Sequence, residues 1–384
     1  MTYNVGITMN DINQSKIGRY IQQKEGYKAF TPFDFPPKGG FGISPKLYKK
    51  HEEAIRLVGK LDGITRLLPD KDFFLLMFIR KDATYSSQIE GTKATLQDAV
   101  AESVTEEKSR LQPDVDDIVH YVEAVNYGIE RTKTLPISLR LIREIHERLM
   151  TGARSTQHSY PGEFRRSQNW IGGKSPSDAS FVPPAPHDMN SALGELEKFI
   201  HAEDDYPSLV KAGLIHAQFE TIHPFTDGNG RSARAMAMLV LFQEGYDVKQ
   251  FFSIEQYYDQ SPRDYYDALQ KAGAEKDGDI SLWLEYFTDG LAVELSRVKE
   301  RVMQLSRDLK LKGKLGRQIP ITERQIKILE YMEVNNGFLT TKDTFKVIPM
   351  TSRDTIIRDL RYLIDKGVVR KVGRTKASRY VLVE

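Results

Sequence analysis

Residues 223–234, H-P-F-T-D-G-N-G-R-S-A-R, hold several side chains that could act together on a phosphate ester. Histidine is the side chain that most readily takes up a proton near neutral pH, so His223 is a candidate general base. Asp227 places a carboxylate nearby, which suits a Mg²⁺ ion carried by the phosphates of a nucleotide. Together with the glycines and the two arginines in the same twelve residues, this base and this carboxylate indicate nucleotide chemistry.

The second half of the same stretch predicts a binding site for anions. Gly228 and Gly230 permit backbone angles and close approaches that a side chain would block. The free N–H groups at the start of the following helix point out of the turn, where the helix dipole favours an anion. Arg231 and Arg234 are three residues apart, so we expect them to share a helix face and hold further phosphate oxygens.

Two apolar helical patterns flank this stretch and would hold it in place. The first ends at Ile222, and Pro224 prevents its continuation, because proline has no N–H to donate and disfavours the helical region for the preceding residue. The second pattern covers residues 233–241. The sequence therefore predicts a helix, a sharp turn and a second helix.

Residues 72–90 have a helical pattern that ends in a glutamate and a glycine. Ser86 and Glu90 share a helix face, and Gly91 is suited to cap the C-terminus. A carboxylate at this end of a helix opposes the dipole. Glu90 is therefore either paired with a partner elsewhere or a solvated surface residue, and the local pattern favours the solvated one.

Residues 160–187 change character and contain two short extended runs around a Gly, Ser and Pro turn. Runs over residues 164–171 and 180–182 predict a β-hairpin. An exposed hairpin edge can take up a peptide as an added strand. The alternative is a packing loop in which Trp170 and Phe181 cover the core, and the local sequence favours neither.

The bulk composition limits the class of protein. With 384 residues the chain can form two or three domains, and the absence of cysteine excludes disulfides and favours a reducing compartment such as the cytoplasm. We expect neither a signal peptide nor a membrane span, because no apolar run is long enough. The charge is uneven, since residues 307–384 carry 18 Lys and Arg against 9 Asp and Glu.

The C-terminal part of the sequence has the pattern of three helices followed by a basic hairpin. Thr322 would cap the first helix, with Gln325 in the capping-box position. The remaining elements are a short helix over residues 341–347, a helix over 352–366 and strands over 368–372 and 379–383. This order is the layout of a winged helix-turn-helix.

The basic C-terminal part has two interpretations. Its third helix and hairpin carry cations that would meet DNA phosphates, namely Arg353, Arg358, Arg361, Arg370, Lys371, Arg374, Lys376 and Arg379. Alternatively it docks a protein and the cations form a solvated face, because Asp354, Asp359 and Asp365 dilute the charge of the third helix. The pattern slightly favours DNA.

Residues 223–234 match the signature of the Fic family, H-P-F-x-[D/E]-G-N-G-R-x-x-R, at every specified position. Residues 86–91, S-S-Q-I-E-G, match the family's inhibitory motif, [S/T]-x-x-x-E-[G/N]. Residues 162–165, 170–173 and 181–184 resemble its flap region. Over nearly its whole length the chain is similar to a bacterial subgroup with an inhibitory helix, a Fic core and a C-terminal winged helix.

The resemblance implies a mainly α fold, with a Fic-type helical core, a β-hairpin flap and a C-terminal winged helix-turn-helix domain. The expected parts are an extended N-terminal arm (1–45), a helical region with the inhibitory helix (46–125), the catalytic core (126–306), a linker (307–320) and the winged helix-turn-helix domain (321–384). The arm would pack on the body or on a second copy.

The resemblance also implies a reaction, in which AMP passes from ATP to a Tyr, Thr or Ser hydroxyl of a target protein or of the protein itself and pyrophosphate leaves. His223 would be the catalytic base, and Asp227 would hold Mg²⁺ on the phosphates. The residues expected to bind ATP are Phe225, Thr226, Asp227, Gly228, Asn229, Gly230, Arg231, Arg234 and Ser261. Ser261 departs from the family, which often has asparagine near the adenine.

Control and docking sites follow from the same resemblance. Ser86 and Glu90 would be inhibitory, because a carboxylate paired with Arg234 takes the place of the γ-phosphate of ATP. The α-phosphorus would then not face the incoming hydroxyl. The flap residues expected to hold the target as an added strand are Trp170, Ile171, Gly172, Phe181 and Val182.

An alternative function, from a different class, is a DNA-binding transcriptional regulator whose Fic core senses nucleotide. It predicts a salt-sensitive DNA affinity that survives His223→Ala, whereas an adenylyltransferase predicts ATP-dependent labelling that needs His223. A homodimer is also expected, because association could regulate a glutamate on a preformed helix.

Overall fold

The computed structural model describes residues 17–37, 40–65, 81, 83–94, 113–152, 160–246, 254–273, 280–314, 322–334, 338–348, 351–373 and 379–383. The chain divides into two compact units, residues 1–299 and 300–384. Helices make up most of the described secondary structure, in agreement with the predicted mainly helical fold. None of the described helices is both long and apolar enough to cross a membrane.

Among the described residues of the first unit, a β-hairpin comes first and helices follow. Strands β1 and β2 cover Gly18–Gln22 and Lys28–Pro32. The helices are α1 (Pro45–Thr65), α2 (Pro113–Arg131), α3 (Leu139–Met150), α4 (Pro186–His201), α5 (Ser208–Ile222), α6 (Asn229–Gln243), α7 (Glu255–Gln260), α8 (Pro262–Gly273) and α9 (Ile280–Lys314). Residues 83–89 are also helical. Helix α9 ends in the second unit, inside the segment predicted as a linker.

Helices α5 and α6 form the centre of this unit. Both are buried along almost their whole length, as is typical of helices inside a protein. They pack against each other, α2 and α3 pack against α6, and α4 packs against α5. The indole of Trp283 in α9 donates a hydrogen bond to the carbonyl of Gly213 in α5 at 2.8 Å. The turn between α5 and α6 is therefore fixed at both ends by the core.

The part of the predicted N-terminal arm that the structure describes contains the antiparallel β1–β2 hairpin and packs on the body of the same chain, whereas residues 1–16 lie outside the described residues. Tyr20 lies opposite Phe30 with ring centroids 5.4 Å apart, a contact that favours this register. The amide of Phe30 donates to the carbonyl of Val182 at 2.8 Å, and Phe35 packs edge-on against Phe199 at 4.8 Å. Each strand has only five residues of mixed polarity, so the sequence carries no clear strand signal.

The predicted hairpin over residues 164–171 and 180–182 is reduced to one antiparallel bridge, between Ile171 and Phe181. Its first run does not form a strand, because its main chain and side chains bind the turn after α5 instead. The amide of Arg165, for example, donates to a carbonyl of that turn at 2.8 Å. The strand prediction fails because the sequence does not reveal this distant partner.

The second unit contains α10 (Glu323–Val334), β3 (Phe338–Thr340), α11 (Thr341–Val347), α12 (Arg353–Asp365), β4 (Val369–Val372) and β5 (Arg379–Leu382). The strands form one antiparallel sheet in the order β3-β5-β4. The three helices and the last two strands lie where the sequence predicts them. Strand β3 is absent from the prediction, because three residues carry too little pattern.

Side-chain caps explain where helices of the second unit begin. The amide of Gln325 donates to Oγ1 of Thr322 at 3.4 Å, and the amide of Thr322 donates to Oε1 of Gln325 at 2.9 Å. This reciprocal pair is the predicted capping box of α10. Ser352 caps α12 in the same way, because its Oγ accepts from the amide of Thr355 at 3.3 Å.

Candidate active site

The turn between α5 and α6 has the helix, turn and helix form that the sequence predicts. Helix α5 ends at Ile222, and His223 caps it in a left-handed conformation with φ 48° and ψ 59°. Helix α6 begins at Asn229, after Gly228 with φ 76°. A left-handed backbone is uncommon for a residue other than glycine, so the surroundings must hold His223 there.

The buried guanidinium of Arg165 supplies much of that support. Its Nε donates to the carbonyl of His223 at 2.9 Å, and its Nη1 donates to that of Ser167 at 3.1 Å. Its Nη2 donates to the carbonyls of Pro184 at 2.6 Å and Ile222 at 3.4 Å. Burial lowers the pKa of Arg165 to about 10, so the group stays charged at neutral pH. A cation therefore binds the C-terminal end of α5, where the helix dipole favours it.

Replacing Arg165 by methionine should lower the free energy of unfolding by about 2–3 kcal/mol, because several carbonyls lose a charged donor. The matched control is Arg166→Met, since Arg166 is exposed and pairs with Glu163 at the surface. That change should alter stability by less than about 0.5 kcal/mol. Denaturant unfolding measures both effects, and equal losses in the two variants would contradict a special role for Arg165.

Phe225 and Asn229 shape the turn from inside. Oδ1 of Asn229 accepts from the amide of Phe225 at 2.8 Å, and its Nδ2 donates to the carbonyl of Phe225 at 2.9 Å. The ring of Phe225 is fully buried and stacks on the imidazole of His146, with centroids 3.6 Å apart. Both side chains are used within the protein, so any contact with a nucleotide would come from main-chain groups beside them.

His146, in α3, belongs to the site although the sequence pattern does not reveal it. The amide of Gly162 donates to Nδ1 of His146 at 2.9 Å, which leaves the proton of the neutral ring on Nε2. Nε2 donates to the carbonyl of Asp227 at 2.9 Å. Burial lowers the pKa of His146 to about 4, so the ring is neutral at pH 7. In an amphipathic helix such a histidine cannot be told from a packing residue.

The turn also provides a place for an anion. The amide of Gly228 donates to Oδ1 of Asp227 at 2.6 Å. A Cβ on Gly228 would lie 2.7 Å from Sδ of Met150, so both the backbone angle and the space require glycine here. The first N–H groups of α6 have no partner within the helix and attract negative charge.

Asp227 is the residue of this turn that could hold a metal ion. No group of three or more His, Asp or Glu side chains able to bind a metal occurs within the described ranges. One carboxylate ligand from the protein beside an anion position fits Mg²⁺ that takes its other ligands from phosphates and water. The donor set is thus consistent with an ion that arrives with a nucleotide.

Arg231 and Arg234 do not share the face that the sequence suggests. Nη2 of Arg231 donates to Sδ of Met150 at 3.4 Å, and Nη1 lies 3.8 Å from Oδ1 of Asp117. Nε of Arg234 donates to Oγ of Ser86 at 2.9 Å, and Nη2 donates to the Ser86 carbonyl at 3.0 Å. Residues three apart differ by about 60° around a helix, and these long side chains leave it towards different neighbours.

Glu90 is paired rather than solvated, so the interpretation that the local sequence favours is wrong. Its Oε1 accepts from Nη2 of Arg234 at 2.9 Å. The side chain of Arg234 is fully buried, whereas that of Glu90 is 32% exposed. Burial opposes the charge on Arg234, but the neighbouring Tyr265 and Glu90 raise its pKa above the usual value. Nη1 of Arg234 also donates to the hydroxyl of Tyr265 at 3.5 Å.

The carboxylate of Glu90 also lies against Gly230, the second residue of α6. A Cβ on Gly230 would collide with Oε1 of Glu90. Glycine therefore permits this close approach. The carboxylate occupies space beside the N-terminal end of α6, where a phosphate would otherwise be attracted.

A cavity of about 450 Å³ opens beside the turn. His223, Arg234 and Glu90 line it together. Its other lining residues come from residues 170–181, α5, α6 and α8, namely Trp170, Ile171, Ser180, Phe181, Glu220, Thr221, Gly230, Tyr265, Tyr266, Leu269 and Gln270. The cavity therefore joins the candidate base and an arginine to part of the predicted flap.

Several predicted site residues lie outside this lining. Oγ of Ser261 donates to Oδ2 of Asp264 at 2.5 Å at the start of α8. Val182 is buried, and Gly172 forms a turn with φ 70°. The predicted nucleotide-binding residues of the turn and α6 that do not line the cavity are Phe225, Thr226, Asp227, Gly228, Asn229 and Arg231.

Curated relatives resemble this chain to different extents. A probable protein adenylyltransferase of Aquifex aeolicus is 26% identical over 317 residues, which cover 81% of this chain and 86% of that protein. The protein adenylyltransferase Fic of Culex quinquefasciatus is 31% identical over 155 residues, 40% of this chain and 27% of the relative. The protein adenylyltransferase Fic of Drosophila melanogaster is 24% identical over 306 residues, which cover 75% of this chain and 56% of that protein. The chain thus spans less than two thirds of these insect relatives.

Solved structures and family models agree on the fold. A Fic family protein from Desulfovibrio desulfuricans has a TM-score of 0.58 at 18% identity, over 89% of this chain and 97% of that one. Fic-1 from C. elegans has a TM-score of 0.51 at 18% identity, over 67% of this chain and 73% of that one. Residues 136–241 of this chain match the model of the Fic/DOC family, and residues 48–130 match the model of the N-terminal region of the same family.

Proposed function

We propose that this protein is an autoinhibited protein adenylyltransferase. It transfers AMP from ATP to a Tyr, Thr or Ser hydroxyl of a target protein or of itself and releases pyrophosphate. The observation that carries the proposal is the cavity that His223, Arg234 and Glu90 line together, next to the N-terminal end of α6. The names of the curated relatives support the same activity.

His223 acts as the general base of the proposed reaction. Its ring nitrogen takes the proton of the acceptor hydroxyl, whose oxygen attacks the α-phosphorus of ATP. The bond from the α-phosphorus to pyrophosphate breaks, and AMP remains on the acceptor oxygen. The left-handed backbone of His223, held by Arg165, keeps the ring at the edge of the cavity. The fixed backbone thereby limits the positions that the base can take.

The start of α6 and Arg234 hold the phosphates in this proposal. The N–H groups around Gly228 and Gly230 bind phosphate oxygens and the charge that develops on them. Arg234 lines the cavity and binds the terminal phosphates, whereas Arg231 supports the same site from within the core by its charge. A Mg²⁺ ion held by Asp227 would supply further positive charge on the phosphates.

Inhibition by Glu90 follows from the same contacts. The carboxylate binds Arg234 at 2.9 Å and lies against Gly230. It therefore competes with the terminal phosphate for the guanidinium and for the end of α6. Ser86 assists, because its hydroxyl and carbonyl hold the guanidinium turned towards Glu90. ATP bound beside Glu90 would present its α-phosphorus at an unproductive angle.

Two sets of residues in the cavity lining suit the adenine and the target segment. Tyr265, Tyr266, Leu269 and Gln270 of α8 offer aromatic and amide groups for the adenine. Trp170, Ile171 and Phe181 lie at the bridge of the predicted flap and would receive the target segment, with Gly172 and Val182 shaping the backbone there. Because the hydroxyl of Ser261 binds Asp264, Ser261 would influence the adenine only indirectly, by fixing the start of α8.

The position of the label in ATP tests this function. Glu90→Gly protein is incubated with Mg²⁺ and ATP labelled in either the α- or the γ-phosphate, and label on protein is read on a gel. AMP transfer predicts label from the α-phosphate alone and none from the Glu90→Gly/His223→Ala control. Label from the γ-phosphate would contradict AMP transfer. Silence with both nucleotides would favour the DNA-binding regulator.

The second candidate function is that of a DNA-binding transcriptional regulator. It depends on the C-terminal unit, for which we propose a winged helix-turn-helix fold. Its order of three helices and a three-stranded antiparallel sheet supports this assignment. The cations that lie exposed on α12 and the sheet are Arg353, Arg358, Arg361, Arg370, Lys371 and Arg379, while Arg374 and Lys376 fall outside the described residues. Asp359 is buried and binds Arg324, so it does not dilute the exposed charge.

A further inference from the structure

We propose that Glu220 is a positioning residue for His223. Its carboxylate holds the imidazole by Nδ1–H, so that Nε2 is the atom that takes the proton from the acceptor hydroxyl. This inference rests on the proposed transferase function and deepens it. Glu220 lies outside the signature motif, in the last turn of α5.

The geometry brings Glu220 and His223 together at the edge of the cavity. Oε2 of Glu220 lies 3.5 Å from Nδ1 of His223, and both residues line the same cavity. The two side chains are only 13% and 20% exposed. Nδ1 of His223 is shielded from solvent and makes no hydrogen bond within the described part of the chain. A buried ring nitrogen without a hydrogen bond therefore faces a carboxylate oxygen. A small rotation of either side chain would bring the two atoms to hydrogen-bond distance.

The backbone of His223 leaves few other ways to satisfy Nδ1. The amide of His223 donates to the carbonyl of Phe219 at 2.9 Å. Its carbonyl accepts from Nε of Arg165 at 2.9 Å and from Nδ2 of Asn169 at 3.3 Å. With the main chain held on both sides, the ring reaches only nearby groups, and Glu220 supplies the acceptor.

The chemistry needs such a partner. A neutral imidazole carries one proton, and a carboxylate beside Nδ1 favours the form in which Nε2 has the free lone pair. When Nε2 takes the proton of the acceptor hydroxyl, the carboxylate also stabilises the cation that forms. The proton stays on the imidazole until it returns to solvent, and none passes to Glu220 in this step. Glu220 acts through His223 and does not itself touch the reacting atoms.

Glu220 and Glu90 make opposite predictions although both are carboxylates that line one cavity. If Glu220 merely repelled ATP, its removal would lower the KM for ATP and raise the rate, as removal of Glu90 should. A positioning role predicts that kcat falls while the KM for ATP is unchanged. The sign of the effect on kcat therefore separates the two roles.

The test compares kcat and KM for ATP in the Glu90→Gly background. Glu220→Gln should lower kcat by about 10²-fold, because the charge is lost and the amide can also donate to Nδ1 and reverse the ring. Glu220→Asp should restore part of this loss, because it keeps the charge although it is shorter. The matched control is Glu244→Gln at the exposed end of α6, where Glu244 binds Ser208; its kcat should not change.

Thermal unfolding of every variant shows whether the chain still folds. An unchanged kcat in Glu220→Gln, or a change in KM alone, would overturn the inference. A fall in kcat that Glu220→Asp does not restore would also overturn it, because a steric role needs no charge. If Glu90→Gly itself transfers no AMP, the proposed function fails and not merely the role of Glu220.

Discussion

Replacing Glu90 by glycine is expected to raise the rate of AMP transfer by about 10²-fold, a factor that a misplacement of reacting groups by about 1 Å can cost. The change removes the carboxylate that binds Arg234 and lies against Gly230. The terminal phosphate of ATP can then take both places, and the α-phosphorus turns towards His223. The measurement is the initial rate with α-labelled ATP.

Nucleotide binding should change together with the rate. Arg234 is fully buried, so Glu90→Gly leaves a buried guanidinium without its carboxylate and lowers stability in the absence of ligand. ATP supplies a replacement anion and should raise the melting temperature of the variant more than that of the unchanged protein. Glu90→Gln keeps the size of the side chain, and we therefore expect a smaller rise in rate.

Two controls make the prediction specific. Adding His223→Ala to the active variant should lower the rate by about 10³-fold, the typical contribution of a general base. Glu130→Gly, which removes an exposed carboxylate paired with Lys133, should leave the rate unchanged. If Glu90→Gly bound ATP more tightly without a faster transfer, the inhibitory role of Glu90 would be wrong.

Local rules are enough to predict the turn but not its partners. Pro224 stops the first helix, and Gly228 permits the left-handed backbone before the second, so the helix, turn and helix follow from the sequence. The pairing of Glu90 with Arg234 joins residues 144 positions apart, and only the misfit of a carboxylate with the helix dipole hints at it. A misfit indicates that a partner exists without saying which one.

The predicted flap hairpin shows that contacts between distant residues can also prevent a structure that the local sequence predicts. Its extended pattern is real, but Arg165 donates from its amide and its guanidinium to carbonyls at and beside the α5–α6 turn. These contacts take the place of a strand partner, so one bridge between Ile171 and Phe181 remains. Hydrogen bonds between segments far apart in sequence decide the outcome, and periodicity does not record them.

Replacing His146 by alanine should lower both stability and activity. The change removes the hydrogen bonds to Gly162 and Asp227 and the stack on Phe225, which together should cost about 3 kcal/mol of unfolding free energy. Asp227 would lose the bond to its carbonyl, so in the Glu90→Gly background we expect kcat to fall by about 10-fold or more and the Mg²⁺ requirement to rise.

The matched control for His146 is His187→Ala, because the side chain of His187 is 74% exposed. That change should alter neither the melting temperature nor the dependence of the rate on Mg²⁺ concentration. A His146 variant that is less stable but has an unchanged kcat and Mg²⁺ dependence would show that His146 supports the fold without positioning Asp227.

The pH dependence of stability tests whether His146 is buried in its neutral form. Its folded-state pKa of about 4 is below the value of about 6.5 for an unfolded histidine, so the unfolded chain binds a proton first as the pH falls. The stabilisation is complete above about pH 6.5 and is lost as the pH falls towards 4, by at most about 3 kcal/mol. His216, with a pKa that burial lowers to about 3, acts in the same direction and remains in the variant. Denaturant unfolding should therefore show that the free energy of unfolding of His146→Ala changes less between pH 6.5 and 4 than that of the unchanged protein. An equal change in both proteins would contradict a neutral His146 ring that donates to Asp227.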